Sequence, residues 1–154
     1  IDISEFSIID KPEAHYFVTV PTSRNTPFEK EIEMVVAETK KYQLRRLHDA
    51  SYGSILPVEN LYNGAFSDYS ALYIELPFPT HRKGLHIQPK GKYLRAFCKG
   101  DWNHLPGRYK EILSYAQEHN LEFYGFAYEK GINELVIDAA DDYITQIEIP
   151  IKTE

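Results

Sequence analysis

The sequence is short of cysteine, of basic charge and of long apolar runs, and each shortage excludes a class of protein. Its 154 residues include 1 Cys, so an internal disulfide and a CxxC metal site are both ruled out. The formal net charge is −6, and no basic face typical of nucleic-acid binding is visible. No stretch approaches the ~20 apolar residues of a membrane helix, and no signal peptide is present. We therefore expect a cytoplasmic protein with no membrane partner.

Motifs that carry catalytic or cofactor chemistry are also missing. The 6 histidines show no ligand spacing such as HxxxH, and there is no phosphate loop, GxSxG or Ser-His-Asp pattern. We expect no cofactor, no metal and no catalytic residue. His81 and His86 are interpreted as surface loop residues, and Cys98 as an inert core thiol. Because the chain begins with Ile1, we expect it to be part of a longer protein.

Aromatic residues are abundant, with 12 Tyr, 8 Phe and 1 Trp. Most are explained by the preference of Tyr and Phe for strands. One aromatic segment, Glu122–Glu129, ends in a carboxylate, and Gly125 and Ala127 share the pleat face of Glu129. This pattern predicts one wall of a pocket for a cationic or amphipathic small molecule. The alternative is an exposed carboxylate at a strand end, before the Lys130-Gly131 turn.

Two segments have helical periodicity. The first, Thr26–Leu47, opens with a capping residue, a proline at the first helical position and apolar residues on one face. The second, Asn103–His119, has Pro106 near its start and Asn120 just past its end. Its apolar stripe consists of Tyr109, Ile112, Leu113 and Ala116.

The order of elements repeats along the chain as strand, helix, strand, strand. Alternation gives each strand one purely apolar face and one face that mixes aromatic with charged residues. We therefore predict an α+β fold of duplicated βαββ units, with a six-stranded antiparallel sheet and two helices on one face. The other face, on which we expect Glu129 to lie, is left for solvent or a ligand. A single domain would cover residues 1–154, with repeat one at about 1–80 and repeat two at about 88–152.

Several motifs in this order resemble the GyrI-like effector-binding domain. The similarity is sharpest over Tyr93–Ile151 and fainter over Ile3–Pro77, where element order carries it. This domain forms the C-terminal part of many MerR-type and AraC-type transcription regulators and also occurs alone. The matching motifs are Lys99-Gly100-Asp101-Trp102, the helix from Leu105 to Leu113, Gly125-Phe126-Ala127-Tyr128-Glu129, and Thr145-Gln146-Ile147-Glu148-Ile149-Pro150-Ile151.

The resemblance implies a ligand groove between the two halves, with the acidic residue of the family at the Tyr128-Glu129 step. Strand phase and position add aromatic candidates for the ligand site: Tyr16, Tyr73, Tyr93, Phe97 and Trp102. Trp102 fits a packing anchor for the second helix equally well, and the tyrosines also fit solvent-side strand positions. Glu59 is a possible counterpart of Glu129 in the first half, although a loop carboxylate is the favoured interpretation.

The function implied is that of an effector-binding domain in a bacterial transcription regulator, without catalysis. The ligand would be a cationic or amphipathic aromatic molecule, and DNA would be contacted only through a missing N-terminal domain of a homodimer. One alternative is a stand-alone binding protein or hydrolase, in which Glu129 with Tyr128 or Trp102 activates water. Another is a protein-inhibitor module, as in family members that bind a topoisomerase.

Overall fold

The computed structural model describes residues 2–22, 37, 51–75, 84–132 and 140–153. These ranges contain eight strands, two α-helices and two short 3-10 turns. Of the predicted helix Thr26–Leu47, Ala37 alone falls within them, where it is helical, and the other residues lie outside. The strands are β1 Ser7–Lys11, β2 His15–Pro21, β3 Ser51–Pro57, β4 Ala71–Glu75, β5 His86–Gln88, β6 Gly91–Lys99, β7 Phe126–Gly131 and β8 Ile144–Pro150. The helices are α1 Val58–Tyr62 and α2 Leu105–Glu118, and the turns are Trp102–His104 and Ala140–Asp142.

The eight strands form one antiparallel sheet in the order β1-β6-β8-β7-β3-β4-β2-β5. The order is mirrored about the β7–β3 pair, so that β6-β8-β7 corresponds to β2-β4-β3. The predicted α+β class and antiparallel sheet are confirmed, but the expected number of six strands is wrong. The prediction missed β1 and β5, which are short and pair with the far half of the chain: β1 with β6, and β5 with β2.

Helix α2 forms where the sequence predicts it. The Asp101 side chain caps the preceding 3-10 turn by accepting a hydrogen bond from the Asn103 amide at 3.1 Å. Pro106 occupies an early position of α2, and Asn120 just past its end adopts a left-handed φ of 55°. Neither described helix is long and apolar enough to cross a membrane.

One face of the sheet packs under the helices, as the alternation predicts. Leu94, Ala96 and Cys98 of β6 and Ile147 and Ile149 of β8 are buried on this face. The same cluster includes residues of both described helices: Val58, Leu61, Leu105, Tyr109, Ile112 and Ala116. We call this face the helix-covered face.

The other face curls around a second, aromatic core. In a flat sheet, β5 and β7 would lie ~19 Å apart, because three strands separate them. Instead, His86 Nε2 of β5 lies 2.7 Å from the Tyr128 hydroxyl of β7. Of the two predicted uses of this face, solvent or a ligand, exposure to solvent is wrong for Tyr73 and Tyr93, which are buried between strands that the curl brings together. We call this face the inner face.

Candidate functional site

Glu129 lies in β7 on the helix-covered face, where it is 5% exposed. Its carboxylate accepts hydrogen bonds from the Tyr69 hydroxyl at 2.9 and 2.8 Å, and from the Tyr109 hydroxyl. Tyr69 precedes β4 in the first half of the chain, and Tyr109 belongs to α2. Phe66 stacks on the Tyr109 ring with centroids 6.1 Å apart. The carboxylate is thus held from two sides by groups far apart in the sequence.

Burial raises the pKa of Glu129 to about 7, although the hydrogen bonds from Tyr109 and Tyr69 favour the ionised form. Burial also raises the pKa of both tyrosines, and the nearby carboxylate adds to that effect. The hydroxyls therefore remain donors at neutral pH. Near pH 7 the site can either hold a proton or take up a positive charge.

Glu129 differs from Glu148, the other buried glutamate among the described residues. Glu148 is 4% exposed and forms ion pairs with Lys11 at 3.0 Å and with Arg95 at 2.7 Å. Glu129 has only the two tyrosine hydroxyls, and no Lys, Arg or His of the described ranges forms an ion pair with it. A buried carboxylate without a cation is costly to ionise, so a positively charged ligand would be favoured here.

Two expectations about Glu129 need correction. The interpretation as an exposed strand-end carboxylate is wrong, because the side chain is 5% exposed. Its expected place on the less covered face of the sheet is wrong as well. Ala127, two residues earlier on the same pleat face, packs in the core with α2, which assigns Glu129 to the helix-covered face.

Three predicted ligand residues lie on the opposite face from Glu129. Tyr73, Tyr93 and Tyr128 are 4%, 0% and 3% exposed and belong to the aromatic core of the inner face. The Tyr73 and Phe17 rings stack at 4.2 Å between centroids. These tyrosines are therefore neither solvent-side residues nor neighbours of the Glu129 carboxylate, because a sheet one residue thick separates them.

The remaining predicted site residues are also dispersed. Tyr16 is half-buried in β2, three strands from β7 in the sheet order. Phe97 is half-buried in β6 and alternates with Cys98, which faces the helices. Trp102 is 76% exposed, so its interpretation as a packing anchor for the second helix is wrong. Glu59 is exposed in the first turn of α1 rather than in a loop.

Tyr69 and Tyr109 are the site residues that the sequence interpretation missed. Tyr109 was assigned to the apolar stripe of its helix, where it is indeed fully buried. The sequence does contain a signal for Tyr109: a tyrosine on an apolar stripe is buried, and its hydroxyl then needs a hydrogen-bond partner. For Tyr69 no local pattern indicates a role, since its contact with Glu129 spans 60 residues.

Cys98 is buried, as predicted, and burial raises its pKa, which keeps it a thiol.

His86 is not the surface residue expected. It is half-buried, its ring lies against Phe126 at 5.0 Å, and burial lowers its pKa. Within the described ranges, no three His, Cys, Asp or Glu side chains are arranged to hold a metal ion.

The inner face encloses a cavity of about 90 Å³, here called the inner cavity. Its lining includes Lys11, Glu75, Tyr128, Lys130, Gln146 and Glu148. It is separate from the Glu129 site, which belongs to the helix-covered face.

Comparison with known sequences yields a distant relative. No protein-family model matches the chain. The chain is 24% identical over 124 residues to the multidrug-efflux transporter 2 regulator of Bacillus subtilis (strain 168), covering 79% of this chain and 43% of that protein. It therefore spans less than half the length of this relative.

Comparison with solved structures identifies the fold. EcmrR in its DNA complex superposes on 100% of this chain and 59% of its own, with a TM-score of 0.69 and 14% identity. A hydrolase from Listeria innocua gives a TM-score of 0.61 at 11% identity, over 96% of this chain and 92% of its own. SAV2435 bound to tetraphenylphosphonium gives 0.56 at 11% identity, over 96% and 94%. The C-terminal domain of EcmrR alone matches over 97% of both chains with a TM-score of 0.65 at 10% identity. The resemblance to the GyrI-like domain is thereby confirmed at the level of the fold, and this chain has the α+β architecture of the EcmrR C-terminal domain.

Proposed function

We propose that this chain is the effector-binding domain of a transcription regulator and that Glu129 binds the positive charge of a lipophilic aromatic cation. The observation that carries the proposal is the buried carboxylate held by two hydroxyls, with no cation of its own among the described residues. A cationic ligand offsets the desolvation penalty of the ionised carboxylate, whereas a neutral ligand of the same shape does not. The Glu129 site would thus discriminate between ligands by their charge.

The architecture supports a single domain over residues 1–154, with repeats at about 1–80 and 88–152. The mirrored strand order is what two such units would produce. In the full-length protein we propose a preceding DNA-binding segment and a cytoplasmic homodimer. The similarity to EcmrR, which was solved with DNA and is longer than this chain, supports this organisation. The encoded sequence upstream of Ile1 and the mass of the full-length protein in solution test it.

The binding proposal is tested by calorimetric titration with tetraphenylphosphonium and with neutral triphenylphosphine oxide. The wild type should bind the cation, and Glu129→Gln should weaken binding about tenfold or more. Glu59→Gln, which removes the same charge from an exposed site, should leave binding unchanged. Equal binding of the two compounds, or equal affinity in wild type and Glu129→Gln, would refute the role of Glu129.

The pH dependence gives a second, independent readout. The cation binds the ionised form of Glu129, so affinity should rise as pH increases through about 7, the pKa of Glu129. Binding at pH 6 should release protons, which calorimetry in buffers of different ionisation enthalpy detects. Glu129→Gln should abolish both effects.

Catalysis is the second candidate, favoured by one observation. A carboxylate with a pKa of about 7 is suited to act as a general base, and hydrolases share this fold. We place binding first, because the groups bonded to Glu129 among the described residues are tyrosine hydroxyls with a raised pKa, which do not readily give up a proton. Incubation with reactive electrophiles, such as epoxides and activated esters, decides the matter. Hydrolysis by the wild type that is lost in Glu129→Gln would establish that the protein is an enzyme.

A further inference from the structure

We propose that the inner cavity is a second binding site and that it accepts a small carboxylate. The cavity, at about 90 Å³, is several times larger than the ~15 Å³ that one ordered water requires. It lies inside the curl of the sheet, lined by side chains from both halves of the chain. This inference is independent of the proposed function of Glu129.

The cationic side chains at the inner cavity (Lys11, Lys130 and the adjoining Arg95) outnumber its two carboxylates, Glu75 and Glu148. Glu148 is bonded to Lys11 and Arg95, so one negative charge is matched by two positive charges. Glu75 is hydrogen-bonded to His15. The cavity therefore does not repel an anion as its two carboxylates would if they were unpaired.

Lys130 and Gln146 supply donors that the described residues leave unused. They face each other across the β7–β8 pair and both line the cavity. Within the described parts of the chain, neither side chain forms a hydrogen bond or an ion pair. An ammonium and an amide N–H together match the two oxygens of a carboxylate, and the charge-assisted bond is the stronger kind. The charge balance of the cavity and its spare donors both favour an anion.

The apolar part of the lining limits the size of the ligand. Phe17, Tyr73 and Tyr128 are 2%, 4% and 3% exposed and form closely packed walls. The Tyr128 hydroxyl is already bonded to His86. The space left suits a carboxylate with a short aliphatic tail rather than a drug-sized molecule.

Position along β7 separates this site from the first. Glu129 and Lys130 are consecutive, so their side chains leave opposite faces of the sheet. One strand thus presents a carboxylate to the helix-covered face and an ammonium to the inner face. We therefore expect substitution of Lys130 to leave the binding of tetraphenylphosphonium unchanged.

The test is calorimetric titration of the full chain with sodium acetate, its neutral isostere acetamide, and sodium chloride at matched ionic strength. Acetate should bind saturably and the other two should not. Lys130→Gln should weaken acetate binding about tenfold or more, whereas Lys130→Arg should retain most of it. Lys110→Gln, an equal charge change on the exposed side of α2, should have no effect.

A spectroscopic readout shows where binding occurs. In the wild type, acetate should shift the side-chain amide resonances of Gln146 and leave those of Asn103 in place. The proposal is overturned if acetate does not saturate, if chloride reproduces its effect, or if Lys130→Gln binds acetate as the wild type does. Near-ultraviolet circular dichroism of Lys130→Gln confirms that a loss of binding is not a loss of fold.

Discussion

The buried carboxylate of Glu129 makes the stability of the protein depend on pH in an unusual direction. Its folded-state pKa is about 7, against an ordinary value of 4.5. Between these values the folded state binds more protons than the unfolded state, so stability falls as pH rises. The contribution is fully present below about pH 4.5 and is lost by the time the pH exceeds about 7.

The size of this effect follows from the two pKa values. Their difference of about 2.5 corresponds to about 3 kcal/mol of unfolding free energy, at 1.36 kcal/mol for each pH unit. We expect Glu129→Gln to remove this dependence. Relative to the wild type, the variant should gain about 3 kcal/mol between pH 4.5 and pH 8, because the wild type alone loses the proton.

Urea denaturation at closely spaced pH values measures the effect. Other groups titrate in the same range. Burial lowers the pKa of His86, so its contribution grows as pH rises, opposite in sign to that of Glu129. Such terms are common to the wild type and the variant, and the difference between the two proteins cancels them. A difference in unfolding free energy that stays constant from pH 4.5 to 8 would refute the assignment of a raised pKa to Glu129.

Three further predictions concern single substitutions at Tyr109, Gly53 and Gly107. Tyr109→Phe should lower the free energy of unfolding by about 2 kcal/mol at pH 8, where Glu129 is ionised, and by clearly less at pH 5, where Glu129 is protonated. Equal losses at both pH values in urea denaturation would contradict the charged hydrogen bond. Gly53→Ala should destabilise by about 3 kcal/mol or more, because a Cβ there would lie 1.9 Å from the Glu129 carbonyl oxygen. Gly107→Ala in α2 meets no atom within 4 Å and should instead stabilise by about 0.5–1 kcal/mol, which thermal unfolding of both variants would reveal.

Local patterns predicted α2 and the apolar face of the sheet well. Capping and periodicity located α2 to within two residues, since both signals lie within a few positions of the helix itself. Alternation assigned Leu94, Ala96 and Cys98 to the helix-covered face correctly. Helix boundaries and the faces of a strand depend on neighbours along the chain, and the sequence alone therefore predicts them.

The site was only partly predictable, for a physical reason. Glu129 was identified because a carboxylate stands out after an aromatic strand. Alternation separates the two faces of a strand. In β7 both faces mix apolar with charged residues, so alternation does not say which face packs under the helices and which lies inside the curl of the sheet. The curl that buries Tyr73 and Tyr93 arises from contacts between strands far apart in the sheet. Likewise, Tyr69 meets Glu129 only through the tertiary arrangement. The sequence patterns therefore place the aromatic candidates on the correct face, but they also place Glu129 there instead of on the helix-covered face.

The exchange of outer strands between the halves has a consequence for how the chain folds. β1 pairs with β6, and β5 pairs with β2, so each half supplies an edge strand to the other. Contacts of such long sequence separation slow folding, because a large loop must close before any pairing is gained. During synthesis, β1 would remain unpaired until β6 has left the ribosome. We therefore expect the two halves, expressed separately, to remain incompletely folded and to recover the sheet only when they are mixed.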